Sequence, residues 1–292
     1  MGVTTLKDKI FVVYKELPFI VVYMSQQPYT RLPNISINGL KYPYDIAAGS
    51  SCFYVSDVDA IWRVKAAENK VDQWLSGVLA QSVSVTSEEK LVLLVGVDGQ
   101  GSWEERNLTH YCEIHVYSSG AVKETVVKLS SDIFTSPWCA VMTTRKTFIV
   151  SYGREYHEMN RVCEVDMTGH MLKAFGSAPG EGVGQLSASE VVFHEEALYQ
   201  VYLPLPLPLQ LNGPWQLSLD DEERIIVADY LNHRVLLLNK QLMLQRVLVT
   251  WNDPQSVSAS AEGPFRLHYD RHSGRLLVGL ATGHVDIYQL RD

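Results

Sequence analysis

Cysteine is scarce in this 292-residue chain, and long apolar runs are absent. The four cysteines, at positions 52, 112, 139 and 163, have no CxxC spacing, which argues against zinc-ribbon and thioredoxin-type sites. No apolar run approaches the roughly 20 residues that span a membrane, and the first residues lack a signal-peptide pattern. We therefore expect a protein of a reducing, cytoplasmic compartment with no membrane segment.

Positive charge is also in short supply. Lysine and arginine number 25 against 33 aspartates and glutamates, which gives a formal net charge of −8. That balance disfavours non-specific nucleic-acid binding, which requires a cationic surface. The hydrophobic fraction of 46% excludes wholesale disorder. The length allows one large domain or two small ones.

Helical periodicity is missing, and short strands take its place throughout the chain. Apolar runs of four to eight residues, rich in Val, Ile, Tyr and Phe, are separated by turn residues. Residues 112–117, 161–166 and 284–288 alternate strictly between apolar and polar side chains. A period of two is typical of strands with one buried face, so the sequence predicts an all-β fold.

An internal repeat organises these strands. A proline followed by an aromatic residue opens a strand at 43–44, 137–138, 214–215 and 264–265. Proline suits the first position of a strand because it donates no hydrogen bond to the ladder. Four strands in about 40–50 residues predict a β-propeller. We expect a single domain, 1–292, with six blades at roughly 6–37, 45–76, 81–130, 138–176, 215–250 and 265–290.

Two parts of the chain depart from this repeat. The last unit has only three clear strands, so its fourth strand is either absent or supplied by residues 3–6, which would close the ring. Residues 187–212 hold a degraded strand pair and prolines at 204, 206 and 208. We interpret 187–212 as an insertion before the fifth blade, with a partial seventh blade as the alternative.

The fifth unit carries the most specific motif. It contains Pro214-Trp215, then Val227-Ala228-Asp229, then Asn232-His233-Arg234. This pattern resembles the NHL repeat, and the spaced glycines at 180, 182 and 184 resemble the linker of that family. The resemblance implies a six-bladed β-propeller. We expect Asp229 to pair with Arg234, and Asn232 and His233 to cap the turn between them.

Binding is the function that these features favour. One face of a propeller is built from the loops that join fourth to first strands and second to third strands, and aromatic and arginine side chains there are typical interface anchors. The predicted partner-binding residues are Trp103, Arg106, Arg154, Tyr156, Tyr230 and Trp251. We expect a monomeric, non-catalytic module for a protein or peptide, with no cofactor and no metal. The aromatic strand openers either join this surface or pack between blades.

Two alternatives stay open. A metal-dependent lactonase or esterase would need several oxygen ligands on the inner strands, where the sequence offers Asp45, Glu190 and little else. No nucleophile–base pair is visible. Single-stranded RNA, which some NHL proteins bind, would require a basic face despite the net charge.

Overall fold

Six antiparallel sheets form a ring in this computed structural model, which describes residues 1–68, 70–96, 112–131, 133–134, 136–153, 160–176, 211–251 and 263–290. Blade one contains β1 (Gly2–Leu6), β2 (Lys9–Val13), β3 (Phe19–Met24) and β4 (Arg31–Ser36). Blade two contains β5 (Asp45–Ala48), β6 (Phe53–Ser56), β7 (Ala60–Lys65) and β8 (Lys70–Ser76). Blade three contains β9 (Ala80–Val85), β10 (Leu91–Gly96), β11 (Cys112–Tyr117) and β12 (Lys123–Leu129).

The other three blades continue the same order. Blade four contains β13 (Pro137–Met142), β14 (Phe148–Tyr152), β15 (Arg161–Val165) and β16 (Met171–Phe175). Blade five contains β17 (Pro214–Leu219), β18 (Ile225–Asp229), β19 (Arg234–Leu238) and β20 (Leu244–Thr250). Blade six contains β21 (Pro264–Asp270), β22 (Arg275–Leu280) and β23 (Val285–Gln289).

Every blade is a meander in which consecutive strands pair, and the first strand of each blade packs against the first strands of its neighbours. The predicted all-β fold and six-bladed β-propeller are confirmed. In the described ranges there is no α-helix, and a single 3₁₀ turn spans Tyr230–Asn232. The predicted insertion lies outside the described residues except for its last two, Leu211 and Asn212.

The ring does not close by exchange of strands between the two ends of the described chain. Strand β1 is the inner strand of blade one and pairs with β2 over Gly2–Leu6, so residues 3–6 do not complete blade six. Blade six accordingly has three strands within the described part of the chain. In the part of the chain that the structure describes, blades six and one share no ladder and are joined by side-chain contacts, which include a cluster of Val3, Ile10 and Leu277.

Buried aliphatic side chains fill the space between adjacent blades. Ile225, Val227 and Leu236 face blade four, whereas Ile226 and Leu237 face blade six. This division follows from the two-residue period of a strand, which sends successive side chains to opposite faces. Because both faces of each sheet are covered, the second strands read as nearly continuous apolar runs, as in β10 and β18.

In five of the six blades, the turn between first and second strands contains one residue with a positive φ. In blade five, Asp220 Oδ1 accepts the backbone N–H groups of Glu222 and Arg224 at 3.0 and 2.8 Å. Between these two residues, Glu223 has a φ of +57°. The corresponding positive-φ residues of four other blades are Lys7, Glu89, Lys146 and Gly274. Most are not glycine or asparagine, so these turns give little sequence signal.

Candidate binding face

Four half-buried aromatic rings meet at the end of the ring where the inner strands begin. Trp138 and Trp215 stack with ring centroids 4.8 Å apart and planes inclined by 13°. Trp215 also contacts Tyr230, at 4.7 Å, and Phe265, at 4.5 Å. We call these four residues the aromatic cluster. It combines the openers of blades four, five and six with one residue of a second-to-third-strand connection.

A β-bulge places each of the three openers. Pro137 pairs with Tyr152, but the next paired residue is Cys139, so Trp138 is skipped in the ladder. Trp215 and Phe265 are skipped in the same way. A bulged residue leaves the alternation of its strand and its side chain is aimed differently. The three rings therefore meet at one face of the propeller, a position that alternation alone would not predict.

The NHL-like motif holds the fourth ring in place. Asp229 is fully buried and its Oδ2 lies 2.6 Å from Arg234 Nε, while Asn232 Nδ2 donates to the same oxygen at 2.8 Å. Asp229 Oδ1 accepts the Asn212 N–H at 2.7 Å. Burial raises the pKa of Asp229, and Arg234 and these hydrogen bonds oppose that shift. The bonded carboxylate fixes the 3₁₀ turn that begins at Tyr230.

The other motif residue, His233, ends this turn. Its φ of +50° lies in the left-handed region, and its N–H donates to Tyr230 O at 3.0 Å. Tyr230 N–H in turn donates to Gly213 O at 3.0 Å. The motif thus ties the second-to-third-strand connection to the residues that enter β17, and so sets the position of Tyr230 relative to Trp215.

A guanidinium lies beside the cluster. Arg266 packs over the Phe265 ring at 4.5 Å and donates from Nη2 to Tyr44 O at 3.2 Å. Its Nε lies 3.7 Å from Oδ1 of the buried Asp45, whose Oδ2 accepts the Val83 N–H at 3.0 Å. Burial raises the pKa of Asp45, with Arg266 opposing the shift. The inner strands therefore supply a positive group next to the rings.

Near the cluster, several buried polar atoms have no hydrogen-bond partner among the described residues. They include Trp215 Nε1, a donor, and Gln216 Oε1, an acceptor. Trp138 Nε1 differs, because it donates to Gly153 O at 3.0 Å. Unpartnered buried polar atoms are uncommon in folded proteins. The indole N–H of Trp215, at the centre of the cluster, is therefore unpartnered among the described residues, whereas that of Trp138, at the edge, is bonded.

The predicted binding residues have different locations. Tyr230 belongs to the aromatic cluster. Trp251 lies between blades five and six, where its Nε1 donates to Asp286 Oδ2 at 3.3 Å and its ring contacts Tyr288 at 6.3 Å. The remaining four predicted residues, Trp103, Arg106, Arg154 and Tyr156, lie outside the described residues.

The opposite end of the ring holds a cavity of about 860 Å³ around the axis, lined by both polar and apolar side chains. His268 lines it, with Nε2 2.8 Å from Thr5 Oγ1. Burial lowers the pKa of His268 to about 4, so its ring is neutral at pH 7. Ser218 Oγ accepts the Tyr269 N–H at 3.1 Å. These contacts join neighbouring inner strands, so the polar lining of the cavity also connects the blades.

Reactive groups are few in the described ranges. They contain no group of three or more His, Cys, Asp or Glu side chains that could hold a metal. All four cysteines are reduced and buried, and burial raises the pKa of Cys112 and Cys139 to about 12. These thiols therefore stay protonated at neutral pH. None of the helices that the structure describes is both long and apolar enough for a membrane span.

Comparisons with known proteins support the fold alone. No family model and no curated protein matches the sequence. A crystal structure of a protein of unknown function from Bacteroides caccae is similar, with a TM-score of 0.58, over 93% of this chain and 82% of that chain. The two sequences are 12% identical. The NHL resemblance therefore depends on the motif of blade five and on the glycines at 180, 182 and 184.

Proposed function

We propose that this propeller is a non-catalytic binding module whose aromatic cluster contacts a protein or peptide partner. The supporting observation is the convergence of Trp138, Trp215, Tyr230 and Phe265 at one face, through three bulges and one motif-stabilised turn. Large aromatic rings lose little conformational entropy on binding and are common energetic centres of interfaces.

The chemistry beside the rings suits a peptide. Arg266 supplies a positive group next to Phe265, and arginine is also enriched at interfaces. Trp215 Nε1 is a donor without a partner among the described residues, and a backbone carbonyl could accept from it after a small rearrangement. Apolar side chains packed on the rings would complete such a contact.

Neither alternative has comparable support. A lactonase-type enzyme needs converging metal ligands, and the described residues offer no such group. Aromatic rings can also stack nucleic-acid bases, but binding of single strands needs a cationic groove as well. With a formal charge of −8, the chain disfavours RNA. We therefore make RNA binding an outcome of the test.

The test compares two equivalent truncations of tryptophan. Partners captured by the immobilised protein are identified by mass spectrometry, and one purified partner is then titrated against Trp138→Ala and Trp251→Ala. We expect Trp138→Ala to weaken binding at least tenfold. Trp251→Ala, between blades five and six, should change binding less than twofold. Thermal unfolding of both variants verifies that each is folded.

Two results would contradict this function. Equal loss of affinity in both variants would show that the partner does not contact the cluster. Salt-dependent binding of a uridine oligonucleotide, weakened by Trp138→Ala, would instead assign the cluster to single-stranded RNA.

A further inference from the structure

Residues from all six blades line the axial cavity, the space of about 860 Å³ at the end of the ring opposite the aromatic cluster. The six turns between first and second strands surround its mouth, and all of them lie within the described residues. Sites for small molecules are commonly concave spaces of about 300–1,000 Å³ that combine apolar walls with a few convergent polar groups. The axial cavity therefore has the size of a small-molecule site.

Short polar side chains form one layer around the axis inside this mouth. Ser84 belongs to blade three, Ser218 to blade five and His268 to blade six. Each precedes the capping residue of its first-to-second-strand turn by two positions, which puts the three at one level of the ring. All three are half-buried and line the cavity. Because inner strands pack on both sides of the strand that carries each residue, the exposed part of these side chains faces the cavity.

The two serine hydroxyls keep hydrogen-bonding capacity for a ligand. Ser84 Oγ donates its proton to Ala140 O at 3.0 Å, so it retains lone pairs and can accept. Ser218 Oγ accepts the Tyr269 N–H at 3.1 Å, so it retains its proton and can donate. The layer therefore offers an acceptor on blade three and a donor on blade five. A ligand hydroxyl, which both donates and accepts, can satisfy either group.

Apolar side chains complete the wall beside the polar layer. Val85, Met142 and Leu219 are half-buried, line the cavity and belong to blades three, four and five. A ligand that fills this space therefore meets apolar surface as well as hydroxyl groups. A hexose has both, since its C–H groups form apolar ring faces and its hydroxyls surround the ring.

The polar layer carries no charge at neutral pH. Burial lowers the pKa of His268 to about 4, and its Nε2 lies 2.8 Å from Thr5 Oγ1. An ionised ligand would lose water at this level without meeting an opposite charge, which is costly. An uncharged ligand avoids that cost.

Charged side chains at the mouth are nearly balanced in sign. Lys146 pairs with Glu88, and Glu89 accepts the Ser50 N–H at 3.0 Å. Attraction of one sign of ligand requires an excess of the other sign, so this mouth selects neither an anion nor a cation. The cations that line it are Lys7, Lys146, Arg271 and Arg275, the anions are Asp8, Glu88, Glu89, Glu223 and Asp270, and the imidazole of His272 lies among them.

We propose that the axial cavity binds an uncharged sugar, which is a hexose or a short chain of hexoses. Its hydroxyls bond to Ser84 and Ser218, and its C–H faces pack on Val85, Met142 and Leu219. The aromatic cluster lies at the other end of the ring, so this inference is independent of the proposed function.

Methionine methyl groups give a direct readout of the site. The whole chain, with its methionine methyls labelled with ¹³C, is titrated separately with D-glucose, D-galactose, D-mannose and maltose and followed by NMR. Met142 lines the cavity, whereas Met243 is 48% exposed on a turn of blade five and lies outside the lining. We expect at least one sugar to shift the Met142 methyl signal saturably and to leave Met243 unchanged. Absence of a Met142 shift with all four sugars, or equal shifts at both methyls, would overturn the proposal.

Charged forms of the sugar test the argument from charge. The uronate and the amino sugar of the hexose that binds are titrated in the same way at pH 6, where the carboxylate and the ammonium are both ionised. We expect each to bind at least about fivefold more weakly than the uncharged hexose, because the polar layer offers no counter-charge. Equal or tighter binding of either form would assign the cavity to an ion instead.

Two serine variants separate sugar binding from the contacts between blades. Ser82 Oγ accepts the Ala140 N–H at 3.3 Å, much as Ser218 accepts that of Tyr269, but Ser82 is buried and lies outside the lining. We expect Ser218→Ala to weaken sugar binding about fivefold through loss of one hydrogen bond, and Ser82→Ala to change it less than about twofold. Equal effects of the two variants would show that Ser218 serves only to join blades, and would contradict the proposal.

Filling the cavity gives the second pair of variants. Val85 lines the cavity on the first strand of blade three, whereas Val126 is 42% exposed on the fourth strand of the same blade. We expect Val85→Phe to weaken sugar binding at least about tenfold by occupying the space, and Val126→Phe to change it less than about twofold. Thermal unfolding verifies that each variant is folded. A folded Val85→Phe that binds the sugar with unchanged affinity would place the sugar elsewhere and refute the proposal, and the serine pair decides the question if Val85→Phe does not fold.

Discussion

Blades four and five solve the same structural problem with different chemistry. In blade five, Pro214, Asp229 and Arg234 are successive partners across the sheet, and the carboxylate and guanidinium form a buried pair. In blade four the corresponding partners are Pro137, Tyr152 and Arg161. There, among the described residues, the buried Tyr152 hydroxyl and Arg161 Nε form no well-aligned hydrogen bond, and the neighbouring Arg161 opposes the rise that burial causes in the pKa of Tyr152. The second-strand position opposite the opening proline is therefore filled by an ion-paired aspartate in blade five and by a tyrosine in blade four.

The difference matters for what the next loop can do. Asp229 also bonds to Asn212 and Asn232, and so it fixes the turn that carries Tyr230 into the aromatic cluster. Tyr152 has no such bonds and instead contacts Phe134, with ring centroids 5.2 Å apart. The aspartate orders a neighbouring loop, whereas the tyrosine adds only packing.

Asp229→Ala tests this comparison with the largest expected effect. The substitution removes the buried carboxylate that pairs with Arg234 and accepts hydrogen bonds from Asn212 and Asn232, and loss of one partner of a buried pair costs about 3–5 kcal/mol. We expect a decrease of this size in the free energy of unfolding, measured by urea denaturation, together with loss of the Tyr230 contacts in near-UV circular dichroism. A decrease below about 1 kcal/mol would mean that the buried pair contributes little to stability.

Gly169→Ala tests a second contrast between the two blades. Both third-to-fourth-strand turns need a positive φ, which blade four meets with Gly169, at +87°, and blade five with Leu242, at +63°. A side chain at position 169 would also overlap the Lys128 carbonyl oxygen. We expect a loss of about 2–3 kcal/mol, from the left-handed strain and from the displaced backbone. Gly77→Ala is the control, because it has a φ of +68° with open space around it. The control should lose about 1 kcal/mol.

Leu242→Gly, the reverse change in blade five, should have a smaller net effect. It relieves left-handed strain of about 1–2 kcal/mol but removes a buried side chain that packs between blades four and five. We expect a net loss of about 1–2 kcal/mol in urea denaturation. A gain in stability would show that the strain outweighs the packing.

Tyr152→Phe should have the smallest effect at pH 7, within about 0.5 kcal/mol, because the hydroxyl has no well-aligned hydrogen bond to lose among the described residues. Burial raises the pKa of Tyr152 from 10.0 to about 12. Between these values the unfolded chain releases this proton while the folded chain retains it, so stability falls as pH rises, by at most about 1.4 kcal/mol per pH unit. Tyr152→Phe should lose stability less steeply over that interval, as measured by urea denaturation from pH 9 to 11.

The period-two alternation and the proline–aromatic openers were enough to predict the all-β propeller, because both follow directly from strand geometry. The aromatic cluster could not be predicted in the same way. Trp138 and Trp215 are far apart in sequence, and only the bulges and the closed ring bring them together.

Two other features could not be predicted from the sequence: the positive-φ residues of the turns and the strand to which residues 3–6 belong. Positive-φ residues such as Glu89 and Lys146 carry no sequence signal, since the capping side chain at the end of the strand makes the turn possible. Residues 3–6 could have paired with blade six or with their own blade. The choice depends on distances in the folded ring, which a sequence does not contain.

The junction of blades six and one has a mechanical consequence. The chain itself runs from each blade to the next at the other five junctions, whereas here the described residues are joined only by contacts such as Tyr14 OH to Gly283 O, at 3.0 Å, and Thr5 to His268. A pulling force, or a thermal fluctuation, can therefore separate these two blades without breaking any sheet. We expect the propeller to open first at the junction of blades six and one. Each blade should remain folded when the ring opens.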